Sequence, residues 1–385
     1  MTTVLTKLFR EFFESEKTGG FVLLGCTVLS LVLANSGVGE GYIAFWNAQA
    51  GGHTIVEWIN DALMAVFFLL IGLELEREIY QGELSDLGSA SLPIIAAVGG
   101  MLVPAGIHLA LNAGTATQSG AGIPMATDIA FAIGILSLLG NRVPASLKVF
   151  LTALAVIDDL GAIIIIAVAY SGGIQFSSLL IALGIFAVLL VLNRLRVYNL
   201  VPYLAGGVVM WYFMLQSGVH ATITGVLLAF AIPFGNGGEK SPSYILQHIL
   251  HKPVAFFILP VFALANTCIP IAGNVVAGLL QSNSIGIMAG LLIGKPAGIS
   301  LFSFLAVRMR LATLPDELKW NYIAGTGLLG GIGFTMSIFI ALLAFDDGEL
   351  INGSKIAVLV GSLLAGGIGY VLLNLVLPKN GEVDS

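Results

Sequence analysis

Charge is scarce in this chain. Of its 385 residues only 10% are Asp, Glu, Lys or Arg, against about 25% in a soluble domain. The 16 basic residues are scattered and outnumbered by 22 acids, which excludes the concentrated basic face that a nucleic-acid partner needs. Cysteine is scarcer still. Cys26 and Cys268 lie in separate apolar runs, which spells neither a disulfide framework nor a thiolate metal site. No stretch of the form GxxxxGK[ST] occurs, so nothing couples the chain to nucleotide hydrolysis, and nothing in the sequence calls for a cofactor. The strict alternation of a membrane β-barrel is missing as well. What remains is apolar: 57% hydrophobic residues with a mean hydropathy of +0.98, in continuous runs along the whole length. Such a chain is an all-α membrane protein of many spans. Its 48 glycines suit close helix packing and interrupted helices.

Twelve apolar spans are predicted, at 18–34, 58–80, 92–112, 120–140, 149–170, 178–193, 199–215, 220–234, 250–272, 285–307, 321–345 and 355–377. Before them, residues 5–13 place apolar side chains on one helical face, which predicts an amphipathic segment, within residues 1–17, lying on the membrane surface. An even number of spans puts both termini on one side. Fourteen of the sixteen basic residues fall on that side; Lys355 is on the other and Lys295 lies inside span 10. By the positive-inside rule both termini, including the tail 378–385, are cytoplasmic. The longest external loop, 37–57, carries Tyr42, Phe45 and Trp46 among glycines. It reads as a short interfacial hairpin or as a plain aromatic anchor.

Spans 4 and 11 are interrupted. Span 4 contains Gly120, Gly122 and Pro124 ahead of Thr127 and Asp128. Span 11 contains five glycines between Gly325 and Gly333 ahead of Thr335 and Ser337. They hold corresponding places in two triplets, spans 3–5 and 10–12, and such a pair points to a transporter with inverted-topology repeats and a site near the bilayer midplane. Broken helices leave half-helix N-termini carrying about +0.5 charge and C-termini about −0.5. Asp128 would offset the former and Lys295 the latter.

Near the middle of span 5, Asp158 and Asp159 stand side by side in an apolar run. At 1.5 Å per residue they lie about halfway through a hydrocarbon core roughly 30 Å thick. Carboxylates at that depth need a wet cavity, a cation or a proton. The two are about 100° apart on the helix, so they point to different partners. Lys295 is equally costly alone, so a carboxylate is expected beside it, and Asp158 is the candidate. Asp61, near the external end of span 2, either caps that helix or takes part in transport. Glu74, Glu76 and Glu78 surround Arg77 at the cytoplasmic end of span 2, and His248 and His251 open span 9 on the same side. These groups form either a proton sensor or a solvated helix end. His220 opens span 8, as a packing or a sensing histidine.

Six stretches carry a family resemblance: NDALMAVFF at 60–68, ATDIAF at 126–131, IDDLGA at 157–162, SGVHAT at 217–222, GKP at 294–296 and GIGFTMSI at 331–338. Over essentially its whole length the chain resembles bacterial NhaA-type sodium/proton antiporters. The resemblance implies that Asp158 and Asp159 are the essential pair, with Asp159 the main ligand of a transported Na⁺ or Li⁺. It pairs Lys295 with Asp158, places Thr127 and Asp128 at the crossing of the unwound segments, and makes Gly333 an accessory position. It assigns Glu74, Glu78, His248 and His251 to a pH-responsive cytoplasmic funnel and the 37–57 loop to a homodimer contact in the bacterial inner membrane. One position departs from the pattern: Gln247 stands where the family leads one to expect a glutamate, which bears on pH sensing.

The function expected is secondary, electrogenic exchange of Na⁺ or Li⁺ for protons across the lipid bilayer, serving pH and sodium homeostasis. An alternative is a sodium-coupled solute symporter on a similar fold. An enzyme is not expected: an aspartyl hydrolase needs its two carboxylates on separate elements around one water, and adjacent residues on one helix cannot provide that.

Overall fold

The computed structural model describes residues 7–271 and 275–378. In chain order its helices are α1 (Lys7–Ala34), α2 (Gly39–Trp46), α3 (Ile55–Gln81), α4 (Leu87–Asn112), α5 (Ile129–Ser137), α6 (Ala145–Ala169), α7 (Phe176–Arg194), α8 (Leu200–Leu215), α9 (Ile223–Ala231), α10 (Pro242–Asn266), α11 (Val275–Leu279), α12 (Ser282–Arg308), α13 (Trp320–Gly330), α14 (Phe334–Ala344) and α15 (Gly348–Val376). Seven of these helices, together with Gln118–Ser137, which ends in α5, are long and apolar enough to cross a membrane, eight stretches in all among the described residues, and ten if each sharply bent helix pair is taken as one span. Two strands, β1 (Gln49–Ala50) and β2 (His53–Thr54), pair antiparallel.

Caps start the helices where the sequence supplies them. Thr54 and Glu57 form a reciprocal capping box at the start of α3, with Thr54 N donating to Glu57 Oε2 at 2.7 Å and Glu57 N to Thr54 Oγ1 at 3.2 Å. Ser241 caps α10 with Pro242 at its first position, where the missing N–H costs nothing. Asp347 caps α15. The capping role considered for Asp61 therefore does not hold: Thr54 does that job, and Asp61 sits inside α3 in a π-helical turn, Ile59–Leu63.

Three further boundaries differ from the sequence reading. The amphipathic segment at 5–13 and span 1 are separate in that reading, but from Lys7 onward the backbone is one helix to Ala34. No proline divides them, and Lys, Arg and Glu are good helix formers. Residues 1–6 and 379–385, which include most of the tail, lie outside the described residues. Span 9 begins at Pro242 rather than at 250, because Ser241 and Pro242 start the helix there. Span 8 shrinks to the nine residues of α9, because Gly218, at φ +78°, turns the chain before it.

The chain forms two compact units. One consists of Asp86–Ala162 and Ile271 onward together with the start of α1. It therefore gathers α4, α5, most of α6, and α11 to α15. Its closest helix crossing joins α4 to α12 through glycines. A Cβ on Gly99 would run into Gly298 O, and one on Gly298 would stand 2.7 Å from Gly99 C. Without a hydrophobic drive between helices in lipid, such approach is what holds them. The other unit consists of Val22–Ser85 and Ile163–Pro270. There α3 meets α9 in the same manner: a Cβ on Gly72 would lie 2.6 Å from Ala229 Cβ. A cluster of Tyr203, Met210, Met214, Leu73 and Leu189 fills its core.

Candidate functional site

The site lies within the first unit, where two helices break. Residues Gln118–Met125 form a 3₁₀ segment. The chain is extended through Ala126 and Asp128, and α5 starts at Ile129. The second break is at Gly331–Gly333, between α13 and α14, whose axes differ by 48°. The two breaks are joined by a backbone hydrogen bond: Asp128 N donates to Ile332 O at 2.6 Å.

Each break exposes N–H groups at one helix start and carbonyls at the other helix end. Asp128 serves both starts. Its carboxylate accepts from Phe131 N at 3.1 Å at the head of α5, and from Thr335 N at 3.0 Å at the head of α14. Thr335 Oγ1 also donates to it. The helix ends are served by donors. Lys295 Nζ donates to Met125 O at the end of the 3₁₀ segment, and Thr127 Oγ1 donates to Gly330 O, 2.8 Å away, at the end of α13. Ser337 Oγ ties α14 to the 3₁₀ segment by donating to Ile123 O at 2.6 Å. Gly333 leaves that hydroxyl its room, because a Cβ there would collide with Ser337 Oγ.

The aspartate pair stands beside this crossing on α6. Lys295 Nζ is 2.7 Å from Asp158 Oδ2, and both side chains are fully buried. Thr127 Oγ1 also reaches Asp158 Oδ2 at 2.7 Å. A hydroxyl carries one proton, so Thr127 has two acceptors, Asp158 and Gly330, for a single donor. Asp159 is 1% exposed and points about 100° around α6 from its neighbour. Lys295 follows immediately on a π-helical turn, Gly290–Gly294, a device that shifts the helical register at functional positions. Thus the structure brings Thr127, Asp158 and Lys295 into one bonded group, with Asp128 beside Thr127 in sequence but bonded to the two helix starts, Asp159 next to Asp158, and Gly333 at the second break.

The remaining candidates belong to the other unit. His251 Nε2 is 3.5 Å from Glu74 Oε1, and both are largely buried. Arg77 Nε donates to Gln247 Oε1 at 2.7 Å, and its guanidinium lies 4.9 Å from the centre of the Tyr244 ring. Ser243 Oγ donates to Glu76 Oε2 at 3.3 Å. His248 is exposed and stacks on Tyr244 at 6.3 Å between centroids. Glu78 is half-buried one turn beyond Glu74. His220 Nε2 lies 2.9 Å from Tyr170 O, and Trp211 Nε1 donates to the Asp61 carbonyl at 3.1 Å. So Glu74 and His251 meet, while His220 and Asp61 have separate partners.

Sequence reasoning gave no role to Ser362, whose Oγ accepts from both Gly333 N and Phe334 N at 3.2 Å. It also gave none to the carbonyls of Met125 and Gly330. The one available signal for Ser362 is its place among Gly361, Ala365, Gly366 and Gly369, a small-residue stripe that brings α15 close to its neighbours.

The family described as Na⁺/H⁺ antiporter 1 matches residues 10–373. Na(+)/H(+) antiporter NhaA 1 of Flavobacterium johnsoniae is 67% identical over 376 residues, which cover 98% of this chain and 99% of that protein. Na(+)/H(+) antiporter NhaA of Flavobacterium psychrophilum is 65% identical over 381 residues, 99% of each chain. The antiporter of the same name from Cytophaga hutchinsonii is 62% identical over 375 residues, 97% of each. With nearly its whole length matched at this identity, the chain belongs to the NhaA family of Na⁺/H⁺ antiporters.

Proposed function

We propose that the protein exchanges Na⁺ for protons by letting the two compete for one buried carboxylate site, open to one side of the membrane at a time. The observation that carries this reading is the fully buried Asp158–Lys295 pair, adjacent to Asp159 and bonded to the crossing of two broken helices. A hard monovalent cation seeks oxygen ligands. Asp159 supplies the main one, and Asp158 and Thr127 stand next to it. Facing the cytoplasm at alkaline pH, the carboxylates are ionised and take up Na⁺ or Li⁺. Facing outward, protons displace the cation. Asp158 and Lys295 carry a second proton: a cation arriving at Asp158 competes with the ammonium, which leaves as the lysine deprotonates. Two protons per cation make the cycle electrogenic, worth about 2.3 kcal/mol per charge per 100 mV. The outcome is sodium export and control of cytoplasmic pH.

The same reading gives twelve spans, with the bent pair α13–α14 counted once and α1, α8 and α9 added to the eight long helices. The basic residues then put both termini in the cytoplasm of a bacterial inner membrane. Spans 3–5 and 10–12 form inverted repeats, a reading supported by their shared unit and by a break in the middle member of each. Glu74, Glu78, His248, His251 and His220 are pH-sensing candidates, and Asp61 and Gly333 accessory ones. The β1–β2 hairpin is the candidate homodimer contact.

Proteoliposomes test the proposal. Na⁺ added to vesicles holding a proton gradient collapses it with no organic solute present. A gradient that survives Na⁺ throughout roughly pH 6–9, the range in which histidine and perturbed carboxylates titrate, overturns exchange. Dependence on an added solute favours symport.

A further inference from the structure

The start of α14 has an uncommon cap. Its own N-cap residue is Gly333, which has no side chain to offer. The three N–H groups of Gly333, Phe334 and Thr335 have no acceptor within the helix. Two of them go to one hydroxyl on another helix, Ser362 Oγ on α15, at 3.2 Å each. The third goes to Asp128 at 3.0 Å. Ser362 is 6% exposed, so water does not replace it readily. The glycine one turn on lets α15 pack closely there: a Cβ on Gly366 would stand 2.7 Å from Ile135 Cδ1, with Ile332 Cδ1, inside the break, at 3.4 Å.

We propose that Ser362 is a positioning residue for exchange: it takes two of the four N–H groups free at the head of α14, so that Asp128 takes only one, and the broken crossing keeps its register beside Asp158. The proposal rests on the reading that Asp158 and Asp159 hold the exchanged ions. Without the hydroxyl, two N–H dipoles are left uncompensated one residue from Thr335. Their positive potential acts on the titratable groups around the crossing: Asp128, Asp158, Asp159 and Lys295. Lys355 lies about two turns away on α15; the other charged groups on the elements packed there, Glu349, Lys148 and Arg308, stand toward helix ends, and α13 and α14 contribute none. A positive potential disfavours Na⁺ and favours carboxylate over carboxyl.

Exchange in proteoliposomes is measured for wild type, Ser362→Ala, Ser362→Cys and Ser362→Thr, reading apparent KM for Na⁺ and the pH of half-maximal rate. A helix start left bare has an effect of about two- to fivefold. Ser362→Ala is expected to raise KM by about that factor and to move the profile about 0.2–0.7 pH units toward acid. Ser362→Cys, a weak acceptor of similar size, moves both in the same direction by less, and Ser362→Thr restores them. A lower rate with KM and profile unmoved in both Ala and Cys variants overturns the proposal and leaves a packing role. Failure of Ala and Cys variants to accumulate while Thr does also overturns it, making the hydroxyl a folding requirement. Asp159→Asn in the same assay tests the underlying site separately: persisting exchange there defeats that reading whatever Ser362 does.

Discussion

The two units differ in how far they interrupt their helices. In the first, α5 and α14 start in mid-chain after full breaks, and every helix end named above meets a side chain of matching polarity: Asp128 and Ser362 for the N–H groups, Lys295 and Thr127 for the carbonyls. In the second, the long helices α3 and α10 absorb their irregularities as π-helical turns, Ile59–Leu63 and Val254–Ile258, and stay continuous, as α12 of the first unit does at Gly290–Gly294. Their titratable groups meet more loosely, as in the 3.5 Å approach of His251 to Glu74. A break makes backbone polarity available at depth, and charge follows it there. A π turn leaves far fewer backbone groups free than a full break, and the charged residues at such turns, Asp61 and Lys295, are single ones.

That contrast can be broken experimentally, and the largest effect belongs to the first unit. Asp159→Asn removes the proposed main cation ligand and is expected to cut Na⁺-driven proton movement by about 100-fold or more, the scale of losing one buried charge partner; flux in proteoliposomes reads it. Lys295→Met leaves Asp158 buried without its ion partner. Breaking such a pair costs about 3–5 kcal/mol, so thermal unfolding in detergent should shift down strongly, and adding Asp158→Asn should recover much of the loss. Recovery of stability without recovery of exchange would separate the pair's two roles. Gly298→Val forces a side chain into the α4–α12 crossing and is expected to cost about 1–3 kcal/mol, again read by unfolding. The second unit should respond less. Arg77→Ala removes the bond to Gln247 and the Tyr244 contact, about 1–2 kcal/mol together. His248→Ala, at an exposed stacked position, should change stability by less than about 0.5 kcal/mol. A His248 or Arg77 variant as damaging to transport as Asp159→Asn would erase the distinction between the units.

Much of this was legible in the residues because hydrocarbon makes polarity conspicuous. Asp158, Asp159 and Lys295 are expensive at depth, so each announces a partner, and glycine clusters at 325–333 announce an interruption. Partner identity was harder. Met125 and Gly330 act through carbonyls, which every residue has, and no side-chain pattern marks them. Ser362 is one hydroxyl among many in apolar helices, and its use depends on where α15 crosses the break, a tertiary fact. Asp61 shows the converse error: an acidic residue near a predicted start looks like a cap, but the capping box at Thr54 and Glu57 lies earlier and wins. Where helices were continuous, apolar runs located them well. Where turns such as the one at Gly218 intervene, hydropathy overran the helix.

The single proton of Thr127 has an optical consequence. With Asp158 ionised, its oxygen and the Gly330 carbonyl contend for one O–H. Once Asp158 gains a proton it becomes the donor, and Thr127 is released to the carbonyl alone. The stretching band of the Gly330 carbonyl, isolated by isotopic labelling, should then move to lower frequency as the site is protonated and back as Na⁺ arrives. If exchange runs as proposed, one peptide group would thus serve as a built-in spectroscopic record of the protonation of Asp158.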